Sequence, residues 1–229
     1  EKLNLKGMPC LGEVSIVVQD IAIANKNKGS RYHLQHISCG KSCEIIRDER
    51  ITNKNITAEA CPHHFILTDE AVVTQGSNAK MNPPLRLQSD IDKIIEGLKD
   101  GSINVICTDH APHSAEEKNK PVENSPFGIV GLETSIALSY THLVENGNIT
   151  FEKLIYLMSV NPRSLLNLPV IRFAEGEKAN ITILDTNASW TIDKNKFKSK
   201  SRNTPFDSFK VTCKPFAVIN NNQIYFSDL

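Results

Sequence analysis

The sequence of 229 residues lacks a net charge, because 26 lysines and arginines balance 26 aspartates and glutamates. It also lacks a basic stripe, and with it the electrostatic footprint of a nucleic-acid-binding protein. No apolar run approaches the roughly 20 residues that a membrane-spanning helix needs. Hydrophobic residues make up 40% of the sequence and charged residues 23%, which is the ordinary composition of a globular protein.

The six cysteines include no Cys-x-x-Cys pair, which would be a typical half of a structural zinc site. Cys39 and Cys43 could supply two zinc ligands, but no second Cys/His pair at a suitable spacing supports such a site. Cys61 and Cys107 stand in apolar, strand-like runs. The sequence therefore predicts free thiols, which favours a cytoplasmic protein.

Strand-like and helix-like segments alternate over most of the chain. Strands are predicted at residues 32–37, 55–61 and 103–107, and helices at residues 39–50, 89–100, 131–145 and 151–167. An earlier helix is predicted from apolar residues at helical spacing between Val14 and Ile21, with Gly29 as its stop. Ser89 and Thr150 are predicted helix caps, and Gly101 is a predicted helix end. Alternation indicates parallel βαβ units, whose spacing suits part of a (β/α)8 barrel, although periodicity alone does not distinguish a barrel from an open sheet.

Beyond about residue 179 the pattern becomes strand-rich, with a turn at Asn220-Asn221-Asn222. We therefore predict a fold of the α/β class with two domains. Residues 1–168 would form later strands and helices of the barrel, and residues 169–229 a small β-rich C-terminal module.

Two predicted strands end in side chains that bind metals. His36 ends the first strand and Asp109 follows the third. In a barrel both would project at the C-terminal rim, where active sites are built, and imidazole and carboxylate are natural zinc ligands. The alternative is that each residue only caps its own strand through hydrogen bonds.

Three loops carry unusual motifs. Residues 108–113, Thr-Asp-His-Ala-Pro-His, place one carboxylate and two imidazoles within a short stretch of chain. Residues 80–86, Lys-Met-Asn-Pro-Pro-Leu-Arg, combine a stiff double proline with Asn82, whose amide both donates and accepts hydrogen bonds. Residues 125–133 place two glycines before a helix, so that backbone amides can approach a ligand closely.

Together these motifs resemble the dihydroorotases of the amidohydrolase superfamily. The matching blocks are His33–Ser38, Thr57–His64, Lys80–Arg86, Thr108–His113, Pro126–Gly131 and Asn203–Phe206. They follow the family order over nearly the whole chain. Hydantoinases and allantoinases share the fold but differ in the first two loops named above, residues 108–113 and 80–86. The resemblance implies a (β/α)8 TIM barrel of the metal-dependent hydrolase type, present here in part.

The resemblance also implies an activity, the reversible hydrolysis of the cyclic amide of dihydroorotate to N-carbamoyl-aspartate in pyrimidine synthesis. His36 would bind one zinc ion. Asp109 would bind the other and act as the general base that moves a proton to the leaving amide nitrogen. The implied substrate-binding residues are Asn82, His113, Pro126, Phe127 and Gly128. His110, His63 and His64 would have structural or supporting roles.

A complete site of this kind would hold two zinc ions, and the ligand set in this chain is incomplete. The family's His-x-His pair, the arginine after it, the bridging lysine or aspartate and one further histidine are expected upstream of Glu1. Two residues depart from the usual pattern, since Cys61 stands in place of threonine and Asn180 in place of aspartate. The implied partner is the small-molecule substrate, and a homodimer and an association with aspartate transcarbamoylase are left open.

Two other functions compete with this interpretation. Some dihydroorotase-like chains have lost catalysis and serve as scaffolds for aspartate transcarbamoylase, but such chains usually lose metal ligands, and His36 and Asp109 are retained here. A hydantoinase or dihydropyrimidinase would be another cyclic amidase, and the Asn-Pro-Pro-Leu-Arg loop speaks against it.

For the isolated 229-residue chain we expect no hydrolysis of dihydroorotate and poor solution behaviour. One recognised ligand per metal is too few, since catalytic zinc normally has three protein ligands, and an incomplete barrel exposes strand edges. Purification followed by a dihydroorotate assay tests this expectation. A monomer that turned over dihydroorotate by itself would contradict it.

Overall fold

The computed structural model describes residues 5–169 and 171–227, which divide into two compact units. The first unit comprises Glu1–Leu132 and Ser199–Pro205, and the second Glu133–Lys198 and Phe206–Leu229. Residues 1–4, 170 and 228–229 belong to the two predicted domains but lie outside the described residues. The predicted domain boundary after residue 168 stays a prediction.

Helices make up most of the regular structure in the described ranges. They are α1 (Cys10–Lys26), α2 (Gly40–Thr52), α3 (Pro62–Ile66), α4 (Ala71–Gln75), α5 (Gln88–Asp100), α6 (Ala115–Lys118), α7 (Ser135–Ser139), α8 (Phe151–Ile155) and α9 (Asn161–Leu165). Segments of π-helix follow α7 (Tyr140–Glu145) and α8 (Tyr156–Val160), and 3-10 turns occupy Gly76–Ala79, Val122–Asn124 and Lys194–Lys196. The described helices are all too short or too polar to span a lipid bilayer.

The first unit contains a parallel sheet in the order β1-β2-β3. Its strands are β1 (Tyr32–Leu34), β2 (Ile56–Ala60) and β3 (Val105–Ile106). The central strand β2 is buried along its whole length, as expected for a parallel strand covered on both faces. The strands are shorter than predicted. At β3 one reason is that the side chain of Asn104 accepts the backbone N–H of Ala58 at 3.0 Å, so regular pairing begins only at Val105.

Helix α5 confirms the predicted amphipathic pattern at its apolar face and at its end. Ile91, Ile94 and Leu98 are buried, and Gly101 ends the helix in the left-handed conformation with φ of 84°. The predicted cap at Ser89 is wrong, because the helix begins at Gln88 and Leu87 occupies the N-cap position. The residue before Leu87 forms a β-bridge with Thr68, so the chain leaves the extended conformation earlier than predicted.

The second unit contains an antiparallel sheet in the order β4-β5-β6. Its strands are β4 (Ile181–Thr191), β5 (Lys210–Asn220) and β6 (Gln223–Phe226). Asn221 and Asn222 have φ of 50° and 61°, which are the left-handed values that a tight two-residue hairpin turn requires. This confirms the predicted turn. The predicted cap at Thr150 is also confirmed, since its side chain accepts the backbone N–H of Lys153 at 3.2 Å.

A substitution at Gly97 would test how closely α5 packs against the segment that leads into β3. A Cβ atom at Gly97 would lie 3.0 Å from Ile103 Cγ1 and 3.1 Å from Ser102 Oγ, whereas a Cβ at Gly12 in α1 would meet nothing within 4 Å. We predict that Gly97→Val lowers the free energy of unfolding by about 1–3 kcal/mol through overpacking. The matched control Gly12→Val should change it by less than about 0.5 kcal/mol. Urea denaturation measures both, and equal effects of the two substitutions would contradict the packing described here.

Candidate active site

The carboxyl ends of the three parallel strands meet at one edge of the sheet. His36 follows β1, Cys61 follows β2 directly, and Asp109 follows β3. His36 Nε2 lies 3.6 Å from Asp109 Oδ1. The two predicted metal ligands are therefore at the same edge and close enough to share one ion.

His36 and Asp109 also share an unusual backbone conformation. Their φ angles are 54° and 47°, in the left-handed region that residues with a Cβ atom seldom adopt. Such conformations cost of order 1–3 kcal/mol each and persist only where the surrounding structure imposes them, often at functional sites. The two outliers support a functional role for this edge of the sheet.

Glu59 holds the other side of the His36 ring. Its Oε1 lies 3.2 Å from His36 Nδ1, and its Oε2 lies 3.1 Å from His33 Nε2. His33 is held in turn by Thr57, whose Oγ1 lies 2.8 Å from His33 Nδ1. A carboxylate behind a metal-binding imidazole fixes the orientation of the ring and increases its basicity. Glu59 and Thr57 are buried and His33 is partly exposed, and together these side chains would orient His36 as a ligand.

Cys61 and Cys107 lie against the same face of His36. Their sulfur atoms are 3.3 Å apart, and His36 Nδ1 lies 3.5 Å from Cys61 Sγ and 3.4 Å from Cys107 Sγ. The hydrogen bond from Cys107 lowers the pKa of Cys61, and the same bond raises the pKa of Cys107. The hydrogen bond to Cys61 raises the pKa of His36 to about 9, against the opposing effect of burial. Both cysteines are free, as predicted, but their contact with His36 was not predicted.

His63 is a further candidate ligand that the sequence interpretation treated as structural or supporting. The residue is 2% exposed, and its Nε2 has no hydrogen-bond partner among the described residues. Burial lowers the pKa of His63, which keeps the imidazole neutral, as a metal ligand must be. Asp109 is near enough to act on this pKa in the opposite direction. The available signal was positional, since His63 comes three residues after the end of β2 and His36 comes two residues after the end of β1.

His64 and His110 have structural contacts, in agreement with the sequence interpretation. His64 Nε2 donates to Pro83 O at 2.9 Å and so holds the double-proline loop. His110 Nδ1 accepts the backbone N–H of Gly131 at 3.1 Å and lies 3.4 Å from the N–H of Leu132. These bonds fix two loops at the sheet edge.

Three of the predicted substrate-binding residues form one contact group. His113 Nε2 lies 2.8 Å from Phe127 O and donates to it, because a carbonyl oxygen only accepts. Gly128 has φ of 108°, and a Cβ there would come within 2.5 Å of Ala111 Cβ, so only glycine fits this close approach of two loops. The Gly128 N–H donates to Lys80 O at 2.9 Å, which joins the double-proline loop to the group.

Asn82 and Pro126 are placed differently. Asn82 lies exposed on the double-proline loop, and its side chain makes no hydrogen bond to any other residue in the described part of the chain. Pro126 contributes its carbonyl oxygen, which accepts a hydrogen bond from Lys118 Nζ at 3.1 Å. The structure thus joins His113, Phe127 and Gly128 directly and leaves the Asn82 amide facing solvent.

Two buried polar residues that were not predicted as site residues hold the loops together. Asn203 donates through Nδ2 to Ala111 O at 2.9 Å and to Gly128 O at 3.2 Å, and its Oδ1 accepts the His113 N–H at 3.2 Å. Lys118, only 5% exposed, donates to Gly128 O at 3.0 Å. Burial lowers the pKa of Lys118 to about 8, and nearby Lys80 adds to this effect. In the sequence, Asn203 was noted only as part of the matching block Asn203–Phe206. No feature of the local sequence predicts that Lys118 is buried at the site.

The family comparison covers most of the chain. Residues 17–222 match a model described as the amidohydrolase family. The dihydroorotase of Acetivibrio thermocellus is 42% identical over 222 residues, which are 97% of this chain and 52% of that protein. The dihydroorotase of Clostridioides difficile is 44% identical over 226 residues, 99% of this chain and 53% of that protein. The chain therefore spans about half the length of the curated relatives it matches, and the predicted resemblance is confirmed.

Solved structures show the same fold. The L-hydantoinase (dihydropyrimidinase) from Arthrobacter aurescens superposes with a TM-score of 0.88 at 25% identity, covering 95% of this chain and 49% of that one. The dihydropyrimidinase from Brevibacillus agri superposes with a TM-score of 0.88 at 20% identity, covering 96% and 50%. Together with the family match, these likenesses imply a fold of the TIM-barrel type, to which the parallel sheet of β1 to β3 conforms.

Asn203 offers a direct test of the loop arrangement. We predict that Asn203→Ala leaves Ala111 O and the His113 N–H without their side-chain partner, at a cost of about 1–3 kcal/mol per group left unsatisfied, whereas Gly128 O keeps its bond from Lys118. Hydrogen–deuterium exchange should accelerate over residues 110–114 and 126–131. The control Asn222→Ala, in the exposed hairpin turn, should leave exchange in these loops unchanged. Unaltered protection in the Asn203 variant would contradict the role assigned to it.

Proposed function

Because the chain belongs to the amidohydrolase family, we propose that it supplies part of a dihydroorotase active site, which hydrolyses the ring amide of dihydroorotate reversibly to N-carbamoyl-aspartate. The observation that carries this proposal is the His36–Asp109 pair, 3.6 Å apart at the carboxyl edge of the parallel sheet. Relatives with that name, at 42–46% identity, favour this substrate over hydantoins. Sequence identity to the solved hydantoinases is only 20–25%, so these structures support the fold and not the substrate.

The residues present fit a metal ion. The ligands in this chain would be His36 and Asp109, whose side chains lie 3.6 Å apart. His63 would be a further donor, because its buried Nε2 has no hydrogen-bond partner among the described residues. Imidazole and carboxylate donors suit zinc, which we propose as the metal. When bound, the ion polarises the amide carbonyl and lowers the pKa of the attacking water.

Asp109 would act as the general base. Its side chain is 30% exposed, so water and substrate can reach it, and His36 Nε2 lies beside one of its oxygens. The carboxylate would take a proton from the attacking water and deliver it to the ring nitrogen as the amide bond breaks. Without that proton the leaving nitrogen would depart as an unstable anion.

The substrate carries a carboxylate and two ring amide groups, which call for polar contacts. We assign the carboxylate to Asn82 and His113, because the Asn82 amide is exposed and His113 lies on a loop held at Phe127. Glu117 Oε2 lies 3.8 Å from His113 Nδ1. The backbone from Pro126 to Gly128 would meet the edge of the ring.

The wider arrangement follows from the same proposal. Residues 1–168 would belong to the later part of a (β/α)8 barrel, and residues 169–229 to a small β-rich module. We expect a cytoplasmic enzyme that acts on a small molecule, with a homodimer and an association with aspartate transcarbamoylase as arrangements to test. A purely scaffolding function is disfavoured, because His36, Asp109, Asn82 and His113 are all retained.

Asp109→Asn tests the assignment in the protein that carries this region with a complete active site. We predict a fall in kcat of about 10²–10⁴-fold or more for dihydroorotate, because a metal ligand and the general base are lost together. The control Asp69→Asn, an exposed aspartate on another loop, should retain normal turnover. Near-normal hydrolysis by the Asp109 variant would refute the proposed base, and faster turnover of hydantoin than of dihydroorotate by the wild type would refute the proposed substrate.

A further inference from the structure

His36 presents its two ring nitrogens to two different sets of ligands. Nε2 faces the Asp109 carboxylate, whereas Nδ1 faces the sulfur atoms of Cys61 and Cys107 and the Oε1 of Glu59. The proposed hydrolytic site accounts for the first set. It gives no role to two thiols in contact with each other and with an imidazole nitrogen at the same sheet edge.

The spacing on the sulfur side is close to that of a tetrahedral zinc site. With Zn–S near 2.3 Å and Zn–N near 2.0–2.1 Å, tetrahedral geometry requires about 3.6 Å between sulfur and nitrogen and about 3.8 Å between two sulfurs. The observed sulfur–nitrogen distances are 3.4 and 3.5 Å, and the sulfur–sulfur distance is 3.3 Å. Only the two thiols would have to separate, by about half an ångström, to admit the ion.

A fourth ligand is available at the same place. Glu59 Oε1 lies 3.2 Å from His36 Nδ1, and two ligands at zinc–nitrogen and zinc–oxygen distances would be about 3.3 Å apart. Glu59 also interacts with Cys107 and is 7% exposed. A carboxylate so enclosed compensates part of the charge that a bound cation would bring.

We propose that Cys61, Cys107 and His36 form a Cys₂His binding site for Zn²⁺, distinct from the site at Asp109 and assembled from residues of this chain alone. Binding releases the two thiol protons and gives two Zn–S bonds and one Zn–N bond at His36 Nδ1. Thiolate ligands select soft or borderline cations such as Zn²⁺ and exclude Mg²⁺ and Ca²⁺.

This site revises an expectation drawn from the sequence. One recognised ligand per metal made tight zinc binding by the 229-residue chain unexpected, but the sulfur side of His36 supplies three protein ligands within 4.8 Å of one another. A neutral imidazole offers a single lone pair, so His36 serves one position at a time. An ion on the sulfur side therefore withdraws His36 from Asp109. The proposal does not depend on the identity of the substrate.

Cobalt provides the test, because Co²⁺ substitutes for Zn²⁺ and thiolate ligands give it an intense charge-transfer absorption in the near ultraviolet that nitrogen and oxygen ligands do not. We expect the reduced, metal-free 229-residue chain to develop this band, to saturate near one equivalent and to lose the band on addition of Zn²⁺.

Cys61→Thr introduces the residue that dihydroorotases usually have at this position. It and Cys107→Ser should each weaken Co²⁺ affinity by at least about 100-fold, since even changes behind the ligands cost 10–100-fold.

Two controls make the result specific. Cys213→Ser changes a buried cysteine of the second unit and should leave the band intact. Cys39→Ser tests a candidate group that does not contain Cys61, formed by Cys10, Cys39 and Asp90, and should also leave the band intact. Circular dichroism and thermal unfolding of each metal-free variant verify the fold. Co²⁺ binding without a charge-transfer band, a band that survives both Cys61→Thr and Cys107→Ser, or loss of the band only in Cys39→Ser would overturn the proposal. A separate assay of dihydroorotate hydrolysis reports on the proposed function alone.

Discussion

The pairing of three short parallel strands is the interaction on which the candidate site depends. The ladder continues beyond the regular strands, since Ile37 N–H donates to Glu59 O at 2.9 Å and Cys107 N–H donates to Ala60 O at 3.1 Å. These bonds fix the chain next to His36, Cys61 and Asp109. Side chains alternate between the two faces of a strand, so a slip of one residue in either pair would turn a ligand away from the others. The register of the backbone therefore determines which side chains can share an ion.

Much of the fold could be predicted because its signals are local. The apolar face of α5, its glycine end at Gly101, the cap at Thr150 and the hairpin at Asn221-Asn222 each depend on residues a few positions apart. The cap at Ser89 failed for a non-local reason, the bridge between Thr68 and Arg86 that sets where the helix begins. The lengths of the parallel strands also depend on partners far along the chain, so their ends could not be read from periodicity.

Two of the proposed ligands could be selected from the sequence, whereas His63 and the surroundings of the candidate site were missed. His36 and Asp109 could be selected because each ends a strand, and parallel strands end at a common edge. The contact between Cys61 and Cys107 joins residues 46 positions apart, and the Asn203 bond to His113 joins residues 90 positions apart. No local pattern encodes such pairs. The burial of Lys118 among backbone carbonyls is likewise a property of the folded loops.

The carboxylate of Glu59 influences which ring nitrogen of His36 carries the hydrogen and which one can bind a cation. When Nδ1 carries the ring hydrogen, it faces Glu59 Oε1 at 3.2 Å, and the lone pair at Nε2 points toward the Asp109 side. When a cation takes Nδ1, that hydrogen must move to Nε2, where Asp109 can accept it, and the freed Glu59 oxygen becomes available to the cation. The two states differ by the position of the ring proton, by the two thiol protons that are released and by one bound ion. A threonine at position 61 would remove one sulfur ligand and leave the first state intact, whereas Cys61 makes the second state accessible.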